Sequence, residues 1–418
     1  MSDTTSSNTS SYDSSSGEDT INNIDLSGDI INRYNVIIEL GHGSYSIVWL
    51  VYCISDNKFY AMKVQNPEDY EDGIEEITIM KKISNKELYI NNIIESFIEK
   101  RFIDEIEQKF VCSVYNICCG NLDGLARKGK YRNGYEIPIV KQIIKQLCLG
   151  LLSIHTKLKG FHGDIKPDNI LLCGVNNRDQ QYIKLYEKAN FPSLYTTVKN
   201  EYMKEKKKSK LSPEDKLKIR KKIHKTIIES MPRIDDSVYD INEEYIKKPC
   251  IKITDFGFFC HKDEKFNKSF GTRYYQSPEN ILRGDCNEKV DVWSLGCMLY
   301  ELITGKILFN PESDEKGSTD FHHLEMIINL CGEFNPKYVA TMRNSNNFFN
   351  KKGKLDTMKY NSDFNNSTIS KINNLLLKHN INDPNLTDLL NRMLDLDQNK
   401  RICITDILKH RWLNYELG

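Results

Sequence analysis

The chain has 418 residues, and its 58 basic side chains are balanced by 58 acidic ones. That balance excludes a global field favouring nucleic acid or acidic partners. Hydrophobic residues make up 39%, enough for a packed core divided between two lobes. No uninterrupted apolar run is long enough to span a bilayer, and nothing at the N-terminus resembles a signal peptide. The 12 cysteines are scattered without a Cys-x-x-Cys pair, which reads as reduced, mostly buried thiols. The expected compartment is the cytoplasm, with nuclear entry through the lysine runs as the other option.

Residues 1–28 are Ser, Thr, Asn and Asp with almost no apolar content, a disordered tail by composition. From Tyr34 the pattern changes to strands. Val36–Ile38, Ile47–Tyr52 and Phe59–Val64 are separated by turn signals at Gly41-His42-Gly43 and Ser55-Asp56-Asn57-Lys58, and suit a small β-rich lobe. Helical spacing follows from Glu75 to Ile83 and again from Ile137 to His155. The last third, from Val290 to Trp412, is mainly helical by periodicity.

Between Cys173 and Ile251 an insertion interrupts this order, far longer than the usual loop of about 4–6 residues. Its middle is strongly basic. Ser212-Pro213, with Asp215 at the third position, signals a helix start, and Ile219, Ile223 and Ile227 give that helix a thin apolar stripe. The insertion reads as part helix and part disorder.

Chemistry concentrates in His162-Gly163-Asp164-Ile165-Lys166-Pro167-Asp168-Asn169 and in Asp255-Phe256-Gly257. Phosphoryl transfer needs positioning and charge neutralisation more than covalent help. Asp164 is the candidate base, accepting a hydroxyl proton and orienting the attacking oxygen. Lys166 is placed to neutralise charge on a γ-phosphate. Asn169 and Asp255 offer hard oxygen ligands for magnesium. Upstream, Gly41 and Gly43 let backbone amides approach a triphosphate that a Cβ would obstruct. Lys63 can bridge the α- and β-phosphates if a carboxylate holds it; Glu76 is the first candidate, with the adjacent Glu75 as the alternative. His162 reads as a packing residue.

These four strings, in this order, resemble the protein kinases. The resemblance implies an α+β bilobal fold, with a β-rich N-lobe over 29–116 and a mainly helical C-lobe over 117–418 interrupted by 174–249. It implies ATP and Mg2+ as cofactors. Nucleotide contacts would come from Leu40, Gly41, His42, Gly43, Ser44, Tyr45, Ser46, Ile47, Val48, Ala61, Lys63 and Glu76. Tyr115 would be the gatekeeper, and Asn116, Ile117 and Cys118 the hinge meeting adenine; Cys118 and Cys119 are read as inert thiols. Ser277-Pro278-Glu279 resembles the Ala-Pro-Glu triplet, with Arg401 as its ion-pair partner. Asp291 resembles the residue that holds the catalytic-loop backbone, and Thr272 the threonine that bridges catalytic Asp and Lys. Lys166 matches the serine/threonine class.

Tyr45-Ser46-Ile47-Val48-Trp49-Leu50, the insertion between Asp179 and Cys250, and Phe348–Leu355 narrow the resemblance to SR-protein kinases. That family phosphorylates serines in Arg-Ser repeats, and a spacer splits its core at this place; Ser46 at the third glycine position also occurs there. Gly163 replaces the arginine of His-Arg-Asp, so no guanidinium there can clamp an activation-loop phosphate. Activity without loop phosphorylation is the expectation, and Lys268 near the usual phosphothreonine site agrees with it. Gln276 stands where the wider group has arginine, which leaves the preference after the target serine open. At the two positions aligned with the family's docking carboxylates stand His322 and Asn329, neutral side chains that cannot pair with guanidinium groups.

The implied partners are protein substrates with Ser/Thr acceptors, Arg-Ser-rich ones included, with no membrane, no nucleic acid and a monomeric chain. A rival reading is a pseudokinase scaffold. Such proteins lose the lysine, the catalytic Asp or the metal Asp, whereas Lys63, Asp164, Asn169 and Asp255 are all present. A third reading gives the basic insertion a nucleic-acid role, but lysine runs usually form a solvated face and no aromatics are interleaved here.

Overall fold

The computed structural model describes residues 25–43, 45–83, 87–103, 105–127, 131–235, 241–262, 264, 269–312, 318–358, 360 and 371–414. The expectations for the tail up to residue 24, for Ser44 and for Lys268 lie outside these residues. The N-lobe is an antiparallel sheet of β1 (Ile30–Ile31), β2 (Tyr34–His42), β3 (Ser46–Cys53), β4 (Lys58–Gln65), β5 (Glu95–Ile103) and β6 (Ile106–Tyr115), in the order β1-β2-β3-β4-β6-β5. Between β4 and β5 lies helix α1 (Tyr70–Met80), which starts before the expected Glu75. A short turn at Pro67–Asp69 leads into it, and Glu71 and Asp72 fall in its first turn, where acidic side chains favour the positive helix end.

Successive residues of β2 and β3 point to opposite faces, and both faces are buried. Tyr34, Val36, Trp49 and Val51 turn to one side, with Met62, Val64, Phe110 and Cys112. Ile37, Leu50 and Tyr52 turn to the other. That second face is covered by the insertion.

The C-lobe begins with β7 (Cys118–Asn121), α2 (Leu122–Arg127) and α3 (Ile137–Ser153), then β8 (Gly160–Phe161) and β9 (Ile170–Cys173). From Ile137 to Leu158 the α3 helix and its wider last turn are long and apolar enough to cross a bilayer. Lys141 and Lys145 interrupt the apolar run, and Ile139, Val140, Ile143, Ile144, Leu147 and Leu151 are buried in the lobe's core, so this is a core helix.

The insertion leaves the C-lobe after β9 and forms α4 (Asn177–Ala189), α5 (Phe191–Glu205), α6 (Pro213–Ser230) and α7 (Glu243–Lys247). The expected α6 start is present as a reciprocal capping box between Ser212 and Asp215. Ile219, Ile223 and Ile227 are buried with Ile37, Leu50 and Tyr52, so the stripe is the seam to the N-lobe sheet. Helices fill most of 177–230, where partial disorder was expected. The apolar face of β2–β3 supplies the burial that the insertion's own thin stripe lacks.

Polar groups at this seam are paired in series. Arg220 Nε donates to Asn35 Oδ1 at 2.8 Å, and Asn35 Nδ2 donates to the Tyr186 hydroxyl at 2.7 Å. That hydroxyl lies 3.1 Å from His224 Nδ1, and His224 Nε2 lies 2.8 Å from the carbonyl of Val36. Nε2–H therefore donates to the backbone and Nδ1 accepts from tyrosine. Burial pushes the His224 pKa down to about 4.

The chain returns through β10 (Ile251–Ile253), which pairs with β9 in a sheet of order β10-β9-β7, and β11 (Cys260–His261), which pairs with β8. Then come α8 (Pro278–Ile281), α9 (Lys289–Thr304) and α10 (Thr319–Cys331), followed by short helices to Asn414. Helix α9 is buried almost all round and is the axis of the lobe.

Candidate active site

The cleft between the lobes collects the residues singled out from sequence. On its upper side Lys63, in β4, meets Glu76, in α1, at 2.6 Å. Glu76 is buried and Glu75 exposed, which resolves the pair in favour of Glu76. Burial opposes the Lys63 ammonium, but the Glu76 carboxylate outweighs it and holds the lysine protonated well above its ordinary range. The other Glu76 oxygen, Oε1, accepts from the backbone N–H of Phe256 at 3.4 Å. Phe256 is buried, and its ring meets that of His162 edge-on at 5.1 Å. Asp255 beside it has φ +66°, a left-handed conformation that Asp tolerates better than most residues. One carboxylate thus ties Lys63 to the Asp-Phe-Gly backbone.

On the lower side the catalytic loop is held by α9. Asp291 accepts from the backbone N–H groups of His162 (Oδ2, 2.9 Å) and Gly163 (Oδ1, 2.9 Å), with His155 Nε2 2.8 Å from Oδ2. Burial disfavours its charge, but these hydrogen bonds, led by His155, keep the Asp291 pKa below the usual carboxylate range. His162 is fully buried; the N–H of Asp164 donates to its Nδ1 at 3.2 Å, so its Nε2–H donates to the Thr254 carbonyl at 3.0 Å. It is a packing residue, as expected.

Asp164 is buried with both oxygens engaged. Oδ1 accepts from the Thr272 N–H at 2.7 Å, and Oδ2 from Asn169 Nδ2 and Lys166 Nζ, each at 3.0 Å. Lys166 Nζ also donates to Thr272 Oγ1 at 2.7 Å. The Thr272 loop gets this close because Gly271 carries no side chain. A Cβ on Gly271 (φ +71°) would lie 2.4 Å from the Gly163 carbonyl, and one on Gly163 (φ +82°) 2.4 Å from that of Phe258. Gly163 is therefore a steric requirement of this loop as well as a lost arginine.

The glycine loop is the turn between β2 and β3, closed by Gly43 N–H to the Ser46 carbonyl at 2.9 Å. Ser46 is buried in β3, while His42 and Tyr45 are exposed at the tip. A Cβ on Gly41 would meet nothing within 4 Å, and one on Gly43 only a carbonyl at 4.0 Å. Among the described residues no atom demands these glycines, and the space beside them is open, so a triphosphate could approach the turn. Ala61 lies opposite Tyr115, both buried, and Leu40, Ile47 and Val48 are half-buried. Asn116 is exposed, and Ile117 and Cys118 half-buried, where β6 passes into β7. Burial pushes the Tyr115 pKa up to about 12.

The donors suit magnesium and a triphosphate. The amide nitrogen of Asn169 is spent on Asp164 (2.9 Å to its carbonyl), which leaves the amide oxygen for a hard cation. Among the described residues no group of three or more His, Cys, Asp or Glu could hold a metal ion, so a cation here would rely on Asn169, Asp255 and phosphate oxygens.

A family model described as protein kinase domain matches residues 34–187 and 239–413. The chain belongs to the protein kinase family. This kinase is similar to Serine/threonine-protein kinase SRPK of Physarum polycephalum, 29% identical over 78% of this chain and 72% of that one. It is similar to SRSF protein kinase 3 of Homo sapiens, at 24% over 78% and 77%. A chain of Acanthamoeba polyphaga mimivirus is 27% identical over 91% and 87%. It is a serine/threonine protein kinase of the SR-protein-kinase-like type, a family that uses ATP and magnesium and acts on protein substrates.

The kinase's activation segment closes on a buried ion pair. Arg401 donates to Glu279 through Nη1 (2.6 Å) and Nη2 (2.9 Å), with both side chains fully buried. Two contacts escaped sequence reasoning. His155 reaches Asp291, yet in sequence it is one more polar residue at a helix end. Arg178, in α4, donates to the Glu39 carbonyl at 3.2 Å and so fastens the glycine-loop strand to the insertion. Set between Asn177 and Asp179, it read as one more polar residue of the insertion.

Proposed function

We propose that this kinase is competent without phosphorylation of its activation segment, and that Asp164 serves as the base for transfer to serine or threonine hydroxyls. The observation that carries this reading is the joint presence of the Lys63–Glu76 pair, the seated Phe256 and the Asp164–Thr272 contact. Each is a part that a loop phosphate would otherwise have to draw into place. For the last of these, the close approach of Gly271 to the Gly163 carbonyl lets the Thr272 N–H reach Asp164 with backbone alone.

Asp164 holds the acceptor hydroxyl and takes its proton. Its orientation is fixed from three sides, so little reorganisation is left for the reaction. Lys166, already bridging Asp164 and Thr272, is the cation beside the transferred group. Lys63 and the amides of the glycine turn position the phosphates, and Ala61, Tyr115 and the hinge of Asn116, Ile117 and Cys118 enclose the base. Asn169 and Asp255 would hold magnesium, which neutralises charge on the phosphates when bound.

For the acceptor we infer serines in arginine-flanked segments, on the strength of the relatives named SRPK and SRSF protein kinase 3. Docking must differ from a two-carboxylate arrangement. His322, Glu325, Met326 and Asn329 share the half-buried face of α10, and Glu325 lies 3.5 Å from His322 Nδ1. A peptide array phosphorylated with Mg-ATP, beside Asp164→Ala as blank, tests the reading. Signal on serines flanked by arginine supports it; signal on other sequences removes the acceptor class; a trace equal to the blank removes the catalytic assignment.

A further inference from the structure

Cys118, Cys173 and Cys250 stand in one row across the small C-lobe sheet. Cys118, the first residue of β7, is the register partner of Cys173, the last residue of β9. On the other side the β9–β10 register pairs Leu172 with Ile251, and its next step brings Cys173 beside Cys250, joined by Cys173 N–H to the Cys250 carbonyl at 2.8 Å. Residues directly opposite across neighbouring strands share one face, so the three thiols project together.

The two pairs are not equivalent. Cys173 turns its N–H toward Cys250, while its pairing with Cys118 lies beside a bulge at Cys119 in the β7–β9 register. Opposed residues of antiparallel strands have Cα atoms about 4.5–5.5 Å apart, inside the roughly 4.4–6.8 Å span of disulfides. The adjacent Cys118 thiol, together with burial, pushes the Cys173 thiol well up from its ordinary range. Exposure is graded along the row, with Cys250 exposed and the other two half-buried. Cys118 belongs to the hinge, while Cys173 and Cys250 are the points where the insertion leaves and rejoins the kinase core.

We propose that this row is an oxidation site, in which a peroxide closes a Cys118–Cys173 disulfide through the exposed Cys250. The sulfur of Cys250 attacks a peroxide oxygen; an S–O bond forms, the O–O bond breaks and one water leaves, giving a sulfenic acid. Cys173 then attacks that sulfur, the S–O bond breaks, and the hydroxyl leaves as a second water with the Cys173 proton. Cys118 attacks Cys173 in line with the new bond and returns Cys250 to the thiol. In sum, two thiols are oxidised to one disulfide and hydrogen peroxide is reduced to two waters. Burial and the neighbouring Cys173 push the Cys250 thiol up, so it is protonated at neutral pH and answers sustained rather than brief oxidant. Closure ties the hinge strand to β9. It restrains the pivot on which the lobes open, so nucleotide release slows and kcat falls by about fivefold.

The effect on kcat rests on the hinge reading above, whereas the linkage does not, and the experiment separates them. The full chain is treated with hydrogen peroxide, alkylated with N-ethylmaleimide and mapped by mass spectrometry, with turnover measured in parallel. The expected result is a Cys118–Cys173 peptide pair, reversed by dithiothreitol, that forms several-fold more slowly in Cys250→Ser. Cys173→Ser should keep the basal rate and lose its sensitivity to peroxide. Full alkylation of all three cysteines after treatment, or a disulfide elsewhere alone, overturns the site. A mapped Cys118–Cys173 bond with unchanged kcat overturns its action on the hinge.

Discussion

The N-lobe sheet is held on one and the same face at two ends, by the cleft at Lys63 and by the insertion at Leu50 and Tyr52, and the two grips differ in kind. In the cleft the hold is ionic and convergent: Lys63 on Glu76, Glu76 on the Phe256 amide, Lys166 on Asp164. Across β2–β3 it is mainly apolar, with Ile219, Ile223 and Ile227 against Ile37, Leu50 and Tyr52, and a His-Tyr-Asn series that ends on Arg220. Charges in the cleft can exchange partners with phosphates and a metal ion. Across the seam Arg220 and Arg178 bond to an amide and to backbone carbonyls of the N-lobe rather than to its carboxylates, so they hold no ion pair with the lobe to exchange, and the seam fixes it while the cleft works. Removing cleft groups should therefore cost rate with little stability, and removing seam groups the reverse.

The largest effect that would sharpen this contrast comes from Asp164→Asn. Single-turnover transfer should fall roughly 10²–10⁴-fold, while the unfolding midpoint and ATP-analogue affinity stay near wild type; a collapsed midpoint would place Asp164 in the fold's support instead. Next, Ile223→Ala should lower unfolding free energy by about 2–4 kcal/mol in denaturant titration, with kcat changed less than about threefold. Loss of turnover without loss of stability would break the comparison.

Acid should find the seam too. His224 is held neutral with its pKa near 4 by burial, so the unfolded chain, with an ordinary histidine pKa of about 6.5, takes the proton first. Stability is intact above that value and declines as pH falls toward about 4, by on the order of 3 kcal/mol for this group. His323, also pushed down by burial, to about 3, adds to the same slope. The difference between wild type and His224→Gln isolates the seam, and identical pH profiles would remove His224 from the account. The smallest effect is expected for Arg178→Ala. Freed from the Glu39 carbonyl, the glycine turn should raise the KM for ATP by about threefold, read from initial rates, with kcat unchanged.

Much of the cleft was legible because its chemistry restricts residue type. A base, a cation and two hard oxygen ligands have few spellings, and the pairs Glu279–Arg401 and Asp291 with the catalytic loop fall where the motifs place them. The sequence favoured Glu76 but left Glu75 open, since neighbours on a helix differ only in the face they present, and the buried Lys63–Glu76 contact closes the question. The double need for Gly163 lay in its approach to Phe258, a contact between distant segments. In the insertion local signals were plain, as the Ser212–Asp215 box shows. Its destination was not, because the receiving surface of Ile37, Leu50 and Tyr52 reads in sequence only as strand alternation. A thin apolar stripe amid lysines reads as a solvated helix until a second apolar face is found for it.

The most direct test of the central claim is single-turnover phosphotransfer from Mg-ATP by chain first treated with phosphatase and shown by intact mass to carry no phosphate. The account predicts turnover equal to the untreated kinase, with Asp164→Ala silent beside it. Loss of activity on dephosphorylation, restored by rephosphorylating the activation segment, would contradict it.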